Sequence, residues 1–95
     1  MNCEELKKTL LLRVDEAGTD ICLFIDEKEI DRVRVEPNRE LLERTLLAIE
    51  GLLLRHALLP KTIELLRVES SLPEGYSARR IAEAVAEIWM FARSR

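Results

Sequence analysis

Aromatic side chains are scarce in this sequence: 4% of its 95 residues, comprising one tryptophan, one tyrosine and two phenylalanines. The core must therefore be built from leucine, isoleucine, valine and alanine, within an apolar fraction of 47%. Cysteine is equally sparse. Cys3 and Cys22 form no CxxC pair and are joined by a single histidine, His56, which excludes a disulfide framework and a Cys/His metal site. No apolar run exceeds five residues, far short of a membrane span, and the segment after Met1 has no signal-peptide apolar region. A reducing cytoplasmic setting is the expectation. Charge of one sign is also missing. Fifteen basic residues against eighteen acidic ones leave a net charge of −3, with no global attraction to nucleic acid or to an anionic membrane. The length suits one domain with one core.

The pattern of what is present is legible in turn. Leu10–Val14 and Ile21–Ile25 are short apolar runs separated by Asp15-Glu16-Ala17-Gly18-Thr19-Asp20, which predicts a hairpin. Asp26-Glu27-Lys28 predicts a second turn into a third strand, Glu29–Val35. After Pro37, Asn38 is a plausible N-cap for a helix over 39–58 that Pro60 closes. A fourth strand is expected over Thr62–Val68, then a loop with Pro73 and Gly75, then a helix from a Ser77 cap to about Arg93. The helical crossover makes strand four parallel to strand one. The expected fold is α/β: a two-layer domain with a mixed four-stranded sheet of order 3-2-1-4 and both helices on one face. Alternation sends Leu10, Leu12, Val14, Ile21, Leu23, Ile25, Val33 and Val35 to the helix side. Leu11, Arg13, Cys22, Phe24, Arg32 and Arg34 go to the other.

Both helices carry more apolar surface than one core needs. On the first, Leu41, Leu42, Leu46, Ile49, Leu52, Leu53 and Ala57 form a broad core stripe, and Leu47, Leu54 and Leu58 a second, narrower one. On the second, Ile81, Val85, Ile88, Phe91 and Ala92 read as core. Ala78, Ala82, Ala86, Trp89 and Met90 read as a second stripe of small residues ending in a large aromatic. Neighbouring loops could cover the second stripes. The reading preferred here is a helix-bundle interface with a partner, because exposed leucines leave apolar burial unused.

The segment Leu72-Pro73-Glu74-Gly75-Tyr76-Ser77-Ala78-Arg79-Arg80-Ile81-Ala82 resembles the G-P-G-S-F-T-G-L-R-I-G signature of the TsaB family, partner proteins in threonylcarbamoyladenosine modification of tRNA. Pro73 stands for its proline, Tyr76-Ser77 for Phe-Thr and Arg80-Ile81 for Arg-Ile, and Gly75 lies in the same loop. Leu12-Arg13-Val14-Asp15 resembles the family's opening strand, and Leu46–Leu53 its first helix. The resemblance implies a ribonuclease H-like or actin-like half-fold spanning 1–95 as a single TsaB-like N-terminal lobe. It further implies a non-catalytic protein that docks its two helices on TsaD, the catalytic ATP- and metal-using subunit, or on a second copy of itself. Contact with tRNA would then be indirect.

Little in the sequence argues for chemistry. Asp15 beside Gly18-Thr19 is a weak phosphate-loop signal, opposed by Glu16. His56 has no identifiable nucleophile or orienting acid, and Cys22 reads as a small sheet residue. The expectation is no catalytic residue, no cofactor and no metal. Arg13, Arg32 and Arg34 around Phe24 offer a weak alternative, an RNA-contacting sheet face; the simpler reading is a solvated face whose arginine stems cover apolar neighbours.

Overall fold

The computed structural model describes residues 7–73 and 75–93. Cys3 and Glu74 lie outside them. Three strands come first, β1 (Lys8–Asp15), β2 (Gly18–Ile25) and β3 (Lys28–Val35), followed by α1 (Leu41–Arg55), a 3₁₀ turn at Pro60–Thr62, β4 (Leu65–Ser70) and α2 (Ser77–Arg93). The sheet order is β3-β2-β1-β4, antiparallel except for the parallel β1–β4 pair. Both helices pack on one face. α1 lies over β3 and β2, and α2 over β4 and β1.

The first hairpin is tighter than the sequence suggests. Asp15 pairs with Gly18, so only Glu16 and Ala17 remain in the turn, and Gly18-Thr19-Asp20 belong to β2. The Asp15 carboxylate accepts from the N–H groups of Ala17 at 2.8 Å and Gly18 at 3.1 Å. The backbone of Gly18 passes the Val35 carbonyl so closely that a Cβ there would stand 2.8 Å from its oxygen. In the second hairpin Asp26 and Glu27 both take positive φ, 54° and 71°, the signs of a type I′ turn that suits strand twist. A bulge follows: Phe24 pairs with Glu29 and Leu23 with Asp31, leaving Ile30 as the extra residue.

The alternation holds for the core. Leu10, Leu12, Val14, Ile21, Leu23 and Val35 are buried against Leu41, Ile49, Leu52, Leu53, Ile63, Leu72 and Val85, with Val33 partly buried beside them. Ile25, expected there, is only half-buried at the sheet's far end. Three boundaries differ from expectation. α1 begins at Leu41; Asn38 accepts from the Glu40 N–H through its side chain and from the Leu41 N–H through its carbonyl, forming a turn ahead of the helix instead of capping it. The same helix stops before Pro60, because Ala57 adopts φ 56° and the N–H groups of Ala57 and Leu58 fold back onto the carbonyls of Leu54 and Leu53. β4 starts at Leu65, since Pro60 and Thr62 are spent in the 3₁₀ turn. Ser77 is the first residue of α2, whose opening bond runs from the Arg80 N–H to the Tyr76 carbonyl.

Candidate interaction surface

Helical geometry decides which apolar residues face outward. In α1 the buried positions Leu41, Thr45, Ile49, Leu52 and Leu53 form one stripe. Leu47 and Leu54 lie two residues beyond Thr45 and Leu52, about 200° around the helix. They are accordingly 65% and 72% exposed. Leu58, assigned by sequence to the same stripe, is not on it. The left-handed Ala57 swings it back, and it packs partly buried against the core.

The second helix is rotated relative to the sequence expectation. Ala82, Val85 and Trp89 face the sheet, with Trp89 only 8% exposed, while Ala78, Ala86 and Met90 are partly buried around them. The stripe proposed for a partner is thus largely spent on the protein's own core. Of the residues expected in that core, Val85 is buried, Ile81 is half-buried, and Ile88, Phe91 and Ala92 are exposed, Phe91 by 67%. The physical reason is area. A tryptophan buries more apolar surface against a flat sheet than an isoleucine, and the alanines around it let the helix approach closely. The outward apolar positions of the helix layer are therefore Leu47 and Leu54 on α1 with Ile88 and Phe91 on α2.

The rotation of α2 is fixed at its start. Arg79 donates from Nη1 to the Leu72 carbonyl at 3.0 Å, tying the first turn to the loop after β4, and from Nε to Glu83 one turn on at 3.3 Å. Within the motif loop the Tyr76 N–H reaches the Pro73 carbonyl, and Gly75 holds φ 101°, a value that favours glycine. Tyr76, Ser77 and Arg80 are exposed. Arg79 escaped the sequence reading; no periodicity marks a side chain that bonds a distant carbonyl.

On the open face of the sheet, register assembles three cross-strand rows: Leu65-Thr9-Phe24-Glu29, Arg67-Leu11-Cys22-Arg32 and Glu69-Arg13-Asp20-Arg34. The arginines here are paired. Arg34 reaches Asp20 at 2.8 Å and Asp15 at 3.4 Å, Arg32 reaches Glu29 at 3.0 Å and Asp20 at 3.7 Å, and Arg13 reaches Glu69 at 3.6 Å. The hydrogen bond from Arg32 pushes the Glu29 carboxyl below its ordinary range and the guanidinium's own pKa upward. Asp20, read from sequence as a turn residue, is the buried hub between two of these arginines. Beneath the stems Cys22 is 0% exposed, and burial raises its thiol pKa. Phe24 lines a shallow hollow of about 430 Å³ with Leu65, Arg67 and Lys7. The carboxylates in these rows cancel much of the positive field that an RNA backbone would require.

The β1–β2 turn has a local explanation as well, because the Asp15 carboxylate is engaged by its own turn and by Arg34. His56 stands on the helix side, 2.8 Å from Asp31. Among the described residues, no three His, Cys, Asp or Glu side chains converge on a point where a metal could be held, and no helix is long and apolar enough to cross a membrane.

Neither a family model nor a curated protein matches this chain. Solved structures do. YeaZ from Pseudomonas aeruginosa superposes with a TM-score of 0.68 at 19% identity, over 92% of this chain and 41% of that one. The crystal structure of an uncharacterized protein with similarity to peptidase YEAZ from Pseudomonas aeruginosa gives 0.68 and 19% over 92% and 40%. The likeness is one of fold, and the chain spans about two fifths of the length of these proteins.

Proposed function

We propose that this protein is a non-catalytic partner subunit that docks the outer surface of its helix layer onto a TsaD-like catalytic protein, in the setting of tRNA threonylcarbamoyladenosine modification. The observation that carries the reading is the exposure of Leu47 and Leu54 one above the other on α1, with Ile88 exposed on the neighbouring helix. Burying one such side chain is worth roughly 1.5–3 kcal/mol, so a helix pair laid across them would gain several. The fold shared with YeaZ is a TsaB-like fold, in agreement with the sequence resemblance over Leu72–Ala82.

Calorimetric titration of a TsaD-like protein with the parent chain and with Leu54→Glu tests it. The parent is expected to bind, and the variant to lose at least about thirtyfold, since a carboxylate would be desolvated opposite apolar groups. Equal binding of both chains, or none by the parent, would sink the reading. Self-association through this face, without affinity for the TsaD-like protein, would point to an interaction module outside that pathway.

A further inference from the structure

The two edges of the sheet are built differently. The β3 edge has the features that keep an edge from pairing: a bulge at Ile30, an adjacent Asp31 engaged by Arg55 and His56, and Pro37 just past the strand. β4 has none of them. Its six residues, Leu65–Ser70, are free of proline and stand in unbroken register with β1. Just past the strand, the Ser71 N–H donates to the Val14 carbonyl at 3.2 Å, so by alternation Leu65, Arg67 and Glu69 also turn their backbone groups toward β1. The N–H and C=O groups of Leu66 and Val68 then point away from the sheet. Among the described residues no strand pairs with that edge.

Charge selects the strand that fits. Arg67 has no ion-pair partner among the described residues, and Glu69 has only the half-exposed contact with Arg13. A two-fold axis normal to the sheet at Val68 brings β4 of a second copy alongside in antiparallel register. Val68 then exchanges backbone hydrogen bonds with Val68 of the second copy, and on either side of it Arg67 of one copy faces Glu69 of the other, in non-hydrogen-bonded pairs whose side chains stand closer. Both copies keep their helices on the same side of the joined sheet. Centring the axis on Arg67 instead would set like charges opposite each other, which cross-strand neighbours disfavour.

We infer that the β4 edge is a self-pairing site, at which a second copy of this chain adds its own β4 antiparallel and extends one sheet across two chains. The site is separate from the helix layer, so the two-chain sheet leaves both copies of Leu47 and Leu54 open to other partners. It does not depend on the proposed function.

Sedimentation equilibrium across the micromolar range tests the inference on the parent, Arg67→Glu, Glu69→Arg and the double reversal. The parent is expected to be dimeric. Each single reversal turns two attractions into two repulsions and should weaken the dimer at least about tenfold, while the double reversal restores it to within about threefold. Leu54→Glu should leave the dimer unchanged. Amide exchange at Leu66 and Val68 should slow as concentration rises. A monomeric parent, a double reversal as weak as the singles, or a dimer dissolved by Leu54→Glu would overturn the assignment.

Discussion

Nε2 of His56 lies 2.8 Å from Oδ2 of Asp31, joining the end of α1 to the bulged edge strand β3. Arg55 Nη2 binds the same oxygen at 2.7 Å, and the other carboxylate oxygen accepts from the Arg32 N–H. These bonds, that of His56 foremost, hold the Asp31 carboxyl at about 2, against 3.8 for the free group. A folded-state value below the unfolded one gives stability that is full above the unfolded value and lost as pH falls from about 4 to about 2. Urea unfolding at a series of pH values should show this acid limb, and Asp31→Asn should flatten it while lowering stability at neutral pH. Parallel limbs for the two proteins would remove Asp31 from the account.

Non-glycine residues at positive φ carry a conformational cost that glycine avoids. Ala57→Gly, at φ 56°, and Glu27→Gly, in the type I′ turn, should each stabilise the protein by about 0.5–1 kcal/mol after the loss of unfolded-state restriction. Thermal unfolding decides the matter. A decrease at either site would mean that the side chain does more than fill the turn.

Thr45 is fully buried on the core face of α1, and its hydroxyl has no hydrogen-bond partner. Thr45→Val keeps the shape and removes the unsatisfied group, so stability should rise by about 1 kcal/mol. A loss of that size would reveal a bond made by the hydroxyl.

The two apolar faces of the helix layer predict opposite phenotypes. Trp89→Ala should cost about 3–4 kcal/mol, because it empties a core position. Ala82→Arg should fail to fold, since its side chain faces the sheet. Leu54→Glu should stay within about 0.5 kcal/mol of the parent in denaturant titration, as an exposed substitution does. A folded Ala82→Arg with normal stability would place that residue outside the core after all.

The strands were legible because each has an alternation that only one register satisfies. Shifting β1 by one residue would bury Arg13 and expose Leu12, so Leu10, Leu12 and Val14 had to face the core. The parallel return of β4 followed from the intervening helix. α2 was different. Its residues are apolar around more than half the circumference, and the stripes Ile81-Val85-Ile88 and Ala82-Val85-Trp89 share Val85 and both fit helical spacing. Periodicity alone gives no preference between them. The shape of the sheet and the Arg79–Leu72 tether choose the rotation, and neither is visible in a helical wheel. Asp20 was hidden for a related reason: in a run of turn-forming residues its composition reads as loop, and only the tightness of the Glu16-Ala17 turn brings it opposite Arg34.

The order β3-β2-β1-β4 also bears on how quickly the chain can find its fold. β1, β2 and β3 meet their neighbours across two-residue turns, whereas Thr9 meets Leu65 only after the loop containing β2, β3 and α1 has closed. Loop closure delays such pairings, so the meander and its covering helix should organise before β4 arrives. Losses of side-chain packing in β4, as in Leu66→Ala, would then chiefly quicken unfolding and leave the folding arm of the chevron almost unmoved, while the same loss at Leu23 would slow refolding.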